Sequence, residues 1–196
     1  MNILNKEYEQ LEKEIQTLTE KWFNELEGKS VTNQQETSSI RQYPILPQLS
    51  FSYDEIQYKS FILELLTLLK ERQPALNIEV ERLEKLVNEE NVKNWFNEAV
   101  AVNEFYFNQF AKEHDLQEWL PYFVAEHALR PYLQKAAAEL KDILNEGENF
   151  HGCPCCGEPP RLAVINSKGK KELTCPRCHY AWEEKKISCA YCGNEE

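Results

Sequence analysis

Cys153-Pro-Cys155-Cys156-Gly157, then Cys175-Pro-Arg-Cys178, then Cys189-Ala-Tyr-Cys192-Gly193: all seven cysteines of this 196-residue sequence lie in these three CxxC runs. The first two pairs read C-x2-C-x18-C-x2-C. A two-residue spacing lets both thiolates of a knuckle reach one ion while backbone N–H groups turn toward the sulfurs. Gly157 and Gly193 follow their pairs at the point where a tight turn needs positive φ. Two such knuckles joined by a hairpin supply four thiolates in a tetrahedron, a donor set suited to zinc, with iron as the alternative. Cys153, Cys156, Cys175 and Cys178 are therefore the expected ligands of a first metal site. A ribbon of this length buries too little apolar surface to fold alone. Structural zinc supplies about 10–16 kcal/mol in small peptides, enough to decide whether it folds. The closed four-sulfur site leaves no open position for chemistry, so the ion is expected to be a staple.

The third pair has three readings. Cys189 and Cys192 are half of a second site, or compete with Cys175 and Cys178 at C-x2-C-x10-C-x2-C, or form a free dithiol. The half-site is the favoured reading. Cys155 reads as a small side chain inside the first knuckle, and His179 as packed or exposed rather than a fifth ligand.

Around the knuckles, Arg161 to Asn166, Lys171 to Thr174 and Tyr180 to Ser188 read as short strands, the first two flanking the turn Ser167-Lys168-Gly169. Upstream the periodicity is helical. Helices are expected over Asn5–Glu27, from Asp54 as N-cap to about Arg72, and over Ile78–Glu89, Val92–His114, Leu116–Leu129 and Pro131–Leu144. Gly147 is the expected stop of the last. Gly28 to Ser52 loses the period and is rich in Ser, Thr, Gln and Pro, an extended connector in which Pro44-Ile-Leu-Pro47 is apolar enough to be pinned down. The fold class is mainly α: a helical domain over 1–150, then a small rubredoxin-like or zinc-ribbon β module over 151–196, read as an incomplete tandem of two modules.

Composition narrows the function. Apolar residues make up 42% of the chain, so a sizeable core is possible. No apolar run approaches the roughly 20 residues of a membrane span, and the charged first residues carry no secretory signal, so a cytoplasmic location is expected. In that reducing compartment, paired cysteines point to metal before disulfides. The net charge is −11; residues 1–150 hold a formal −12 and 151–196 a formal +1. An acidic body repels polyanions, which disfavours nucleic acid as a partner. The ribbon nevertheless carries Lys168, Lys170, Lys171, Arg177, Lys185 and Lys186 with aromatics nearby, so a nucleic-acid-binding or transcription-associated zinc ribbon is the first rival function. A thiol–disulfide oxidoreductase working through Cys189 and Cys192 is the second, without a thioredoxin-like pattern around them. No GxGxxG, P-loop or HExxH occurs, and no catalytic or organic-cofactor residues are identified. Glu126 and Arg130, spaced i,i+4 beside His127, read as a surface pair.

The cysteine stretch resembles the FdhE family of formate dehydrogenase accessory proteins. The family's pattern is a CPxCG knuckle, a hairpin, a second CxxC, a tryptophan and a further CxxC. Here these are Cys153-Pro-Cys-Cys156-Gly157-Glu-Pro159, Cys175-Pro-Arg-Cys178, Trp182 and Cys189-Ala-Tyr-Cys192. Phe123 to Ala137, with Ala128-Leu-Arg130-Pro131, and Pro44-Ile-Leu-Pro47 look like the family's helical domain. Family members continue into a fourth CxxC and a helical tail, which this sequence does not reach by Glu196. The resemblance implies a cytoplasmic maturation factor rather than a catalyst, with the catalytic subunit of a molybdopterin formate dehydrogenase as its protein client. Trp182, Tyr180 and Ile187 would then present, or merely pack, an apolar face of the ribbon. Self-association into a homo-oligomer is compatible with the sequence.

Overall fold

The computed structural model describes residues 6–28, 43–144, 152–161, 163–184, 189 and 194. Those residues fall into two compact units. One holds the described residues up to Leu26 together with Tyr53–Pro131; the other holds those of Glu27–Ser52 and of Tyr132–Glu196.

The first unit is helical. Its elements are α1 (Lys6–Glu25), α2 (Glu55–Arg72), a 3-10 turn at Pro74–Leu76, α3 (Asn77–Lys85), α4 (Glu89–Val100), α5 (Glu104–Glu113) and the first part of α6 (Trp119–Glu139). Asp54 starts α2 as expected, its carboxylate accepting from the N–H groups of Ile56 and Gln57. The helix α2 contacts α1, α3 and α4. That central place explains its wide apolar face, in which Tyr58, Phe61, Ile62, Leu65, Leu66 and Leu69 are all buried. Trp22 of α1 stacks on Phe61 at 4.8 Å, and its indole N–H donates to Glu64 at 3.1 Å. The Tyr58 hydroxyl donates to the Ala125 carbonyl of α6 at 3.0 Å.

Several expected helix boundaries are wrong. The single helix expected over Val92–His114 is broken into α4 and α5 by Val102, whose φ is +55°. Asn103 then caps α5: its side-chain oxygen accepts from Tyr106 N–H at 3.2 Å, and its amide donates to Glu98 at 2.7 Å. The apolar period runs across the break and hides it. The opposite error occurs at Pro131, expected to open a helix but found inside α6. Proline withdraws one N–H, yet Val124, Ala125, Ala128, Leu129, Tyr132, Leu133, Ala136 and Ala137 stay buried at helical spacing on both sides of it. The helix expected from Ile78 to Glu89 ends earlier, at Lys85, and the proposed stop at Gly147 lies outside the described residues.

A β-branched residue in the left-handed region is strained. Left-handed backbone costs a residue with a Cβ about 1–2 kcal/mol, while glycine brings about 0.5–1 kcal/mol of extra unfolded-chain entropy. Val102→Gly is therefore expected to stabilise the protein by roughly 0.5–1 kcal/mol, seen as a higher denaturant midpoint at unchanged slope; a lower midpoint would show that the valine is comfortable.

The second unit contains the end of α6, α7 (Lys141–Leu144), a 3-10 turn at Leu46–Gln48 and an antiparallel sheet ordered β1-β2-β3. The strands are β1 (Ala163–Ile165), β2 (Lys171–Thr174) and β3 (Ala181–Glu184). Lys171 pairs with Ile165 on one side and Glu184 on the other. The Asn166 side chain accepts from the N–H groups of Lys168 and Lys170, both at 3.0 Å, which closes the β1–β2 hairpin with Gly169 at φ +74°. The third strand was expected to reach Ser188; residues 185–188 lie outside the described set.

Candidate metal centre

Each CxxC run is wound by the same bond. Cys153 N–H donates to the carbonyl five residues on, Glu158, at 2.9 Å, and Cys175 N–H donates to Tyr180 at 2.9 Å. Cys189 N–H donates to Asn194 at 2.7 Å, so the third run closes at the same offset. A second bond tightens the first two knuckles: Gly157 N–H to Cys153 O at 2.8 Å and His179 N–H to Cys175 O at 3.1 Å. Those donors are left-handed, Gly157 at φ +82° and His179 at φ +58°. His179 thus stands in a glycine's position and is exposed. In the second knuckle the N–H groups of Arg177 and Cys178 both point to the Cys175 sulfur, at 3.4 Å.

The two knuckles bring Cys153, Cys156, Cys175 and Cys178 together. All four are buried, and their sulfurs lie within 4.8 Å of one another. Across the knuckles, Cys153–Cys178 and Cys156–Cys175 are both 3.5 Å apart, and all four are free cysteines. A tetrahedral ion with metal–sulfur bonds of about 2.3 Å needs sulfurs about 3.8 Å apart. The donor set therefore fits a metal ion, which these four residues could hold, and its all-sulfur chemistry suits zinc or iron alike. Four buried sulfurs this close cannot ionise independently. Hydrogen bonds from Cys153, Cys156 and Cys178 hold the Cys175 thiol well below its ordinary range, while hydrogen bonds with Cys153 and Cys175 push Cys156 well above it.

Cys155 is buried but is not among the four. Cys189 is exposed, and Cys192 lies outside the described residues.

A Cβ on Gly157 would sit 3.0 Å from the Pro44 ring on a left-handed backbone. Gly157→Ala should cost about 1–3 kcal/mol in the knuckle and make the protein lose metal to a chelator roughly tenfold faster or more. An unchanged rate would mean that the glycine is dispensable.

Among the described residues, part of the basic face expected of the ribbon is spent. Lys171 and Arg177 are 6% and 4% exposed, and Lys170 is paired with Glu183 at 2.6 Å. Of the aromatics, Tyr180 is buried, with burial pushing its phenol up to about 12, and it stacks on Trp182. Tyr180 therefore packs the ribbon rather than presenting a face, and Ile187 lies outside the described residues.

Glu126 and Arg130 do pair, at 3.8 Å, but Glu126 is only 6% exposed, so this is no surface pair. His127 beside it is also buried, and its Nδ1–H donates to the Phe123 carbonyl at 2.8 Å. Burial first, then the Arg130 charge, lowers its pKa to about 3. Below pH ~6.5 the unfolded chain takes up a proton that the folded one refuses. Stability from this residue is therefore complete above that pH and falls as pH drops toward 3, by up to about 1.4 kcal/mol per unit. Wild type should lose roughly 1 kcal/mol more than His127→Gln between about pH 6 and 5; parallel pH profiles would show that His127 does not titrate this way.

Two knuckles closing on one point in an otherwise helical chain define a helical protein with a ribbon module of the zinc-ribbon or rubredoxin-like class. No protein-family model matches the chain. The FdhE protein from Pseudomonas aeruginosa, known from its crystal structure, shares the fold, with a TM-score of 0.56 over 93% of this chain and 61% of that one, at 19% identity. Over 53 residues, 25% of this chain, the sequence is 36% identical to the protein FdhE homolog of Stutzerimonas stutzeri (strain A1501), and the match spans 17% of that protein's length. The first likeness shows the fold, and the sequence likeness is confined to those 53 residues.

Proposed function

We propose that this protein is an accessory factor for formate dehydrogenase rather than a catalyst, binding the catalytic subunit of the molybdopterin enzyme in the cytoplasm and supporting its activation. One observation carries the reading: four buried thiols converge on a point in a chain whose fold is that of an FdhE protein. In this reading Cys153, Cys156, Cys175 and Cys178 hold zinc, or iron in its place, and the ion's contribution is rigidity. Stapled in this way, the ribbon and the helical unit offer the client a preorganised surface. The closing bond from Cys189 to Asn194, at the same offset as in the first two knuckles, favours Cys189 and Cys192 as half of a second metal site.

Cells lacking the protein, with formate dehydrogenase subunits still expressed, should lose formate dehydrogenase activity, and normal activity would remove the proposal. Affinity capture of the catalytic subunit should succeed with wild type and weaken with Cys175→Ser; equal capture would mean that the ribbon does not carry the contact. Salt-dependent retention on DNA or RNA would instead favour the nucleic-acid reading, which burial of Lys171 and Arg177 already weakens.

A further inference from the structure

The connector ends in a strap that is bonded to the first knuckle. Pro44-Ile45-Leu46-Pro47 winds into a 3-10 turn, closed by Gln48 N–H to Ile45 O at 3.0 Å and Leu49 N–H to Leu46 O at 3.1 Å. The Gln48 side-chain amide adds a bond to Pro44 O at 2.7 Å. A helical turn begins with N–H groups that lack a partner within it. Here the knuckle supplies the partners: Ile45 N–H donates to Pro154 O at 3.1 Å and Leu46 N–H to Cys155 O at 2.9 Å. Both acceptors lie between Cys153 and Cys156, two of the four converging residues. Pro44 packs where Gly157 lacks a Cβ, and Ile45 and Leu46 are 1% and 2% exposed.

We propose that this strap is a metal-dependent latch: it docks when the first knuckle is wound around an ion and releases when the ion leaves. The inference rests on the metal reading above. A knuckle gripping a metal turns its N–H groups inward to sulfur, as Arg177 and Cys178 do, and so presents its carbonyls outward. Pro154 and Cys155 offer theirs to the strap in this manner. Without the ion, nothing offsets the crowding of four sulfurs, the knuckle opens, and two donors and two acceptors lose their alignment together. Linkage makes the coupling reciprocal: if the metal favours docking, docking must retain the metal by the same factor.

Amide exchange on the reduced full-length protein tests this, comparing zinc-loaded with chelator-stripped samples whose metal content is measured. Exchange at Ile45 and Leu46 should accelerate at least about tenfold on stripping. The reciprocal measurement is zinc affinity by competition with a chromogenic chelator at equilibrium, which should be roughly tenfold weaker for Leu46→Ala than for wild type, with all four cysteines in place. Exchange within twofold in the two states would overturn the latch, showing that apolar burial alone seats the strap. An unchanged zinc affinity would overturn it as well. Failure to take up any metal would sink the metal reading and the latch together, whereas metal uptake with unaltered strap protection would sink only the latch.

Discussion

Cys175→Ser is expected to leave the protein without a stoichiometric metal ion and with the β1–β3 sheet unprotected from exchange. Cys175 contributes more than one ligand to the knuckle. Its sulfur accepts from the N–H groups of Arg177 and Cys178, and its own backbone N–H and carbonyl make the two bonds that wind the turn. Its sulfur serves the ion as a thiolate. Serine replaces that thiolate with a weakly coordinating hydroxyl. If four ligands share about 10–16 kcal/mol, losing one removes roughly 3 kcal/mol or more, a hundredfold or greater fall in affinity. The sheet has little else to hold it, because Ala163, Val164 and Ile165 of β1 are all exposed and Leu173 is its one fully buried apolar side chain. Metal content per chain and exchange at Lys171–Thr174 are the readouts. A variant that kept its metal and its sheet would show that the knuckles do not depend on a fourth thiolate.

Trp22→Ala should be the most damaging single change in the helical unit, at about 3–5 kcal/mol. Trp22 is fully buried, stacks on Phe61, and its indole N–H reaches Glu64. Truncation opens a cavity against the central helix α2 and strips that carboxylate, one-third exposed, of one donor while Lys21 remains at 2.9 Å. The melting temperature of the helical unit should drop by at least about 10 °C. Trp22→Phe keeps the stack and loses the hydrogen bond, so it should recover most of that loss. If alanine and phenylalanine were equally destabilising, the bond to Glu64 would outweigh the packing, contrary to this account.

The chain announces some of this in its residues and conceals the rest. Cysteine spacing points to the four residues that converge, and β2 lies at Lys171–Thr174 as read from its alternation. Asp54 and Pro74 mark the two ends of α2, because capping and proline chemistry act locally. The break at Val102 is concealed because Trp95, Ala99, Phe107 and Phe110 keep an apolar face on both sides of it. Only Asn103, a capping residue before Glu104, hints at it. Continuity through Pro131 is concealed for the opposite reason: burial on both sides outweighs one missing hydrogen bond. Burial of Lys171 and Arg177 depends on the ribbon's three-dimensional closure, so a count of basic residues overstates the charge the ribbon displays. The strap is half legible. Its apolar residues suggest that it is pinned down, but its partners are carbonyls 109 residues away, as Ile45 to Pro154 shows, and backbone acceptors carry no sequence mark.

The central claim is that sulfurs from two separated knuckles share one ion. Metal content of freshly purified, reduced protein tests it most directly, measured beside the four-way substitution of Cys153, Cys156, Cys175 and Cys178 by serine. The account predicts about one zinc or iron per chain that disappears in the variant. Wild-type protein without stoichiometric metal, or a variant that retains it in full, would contradict the account.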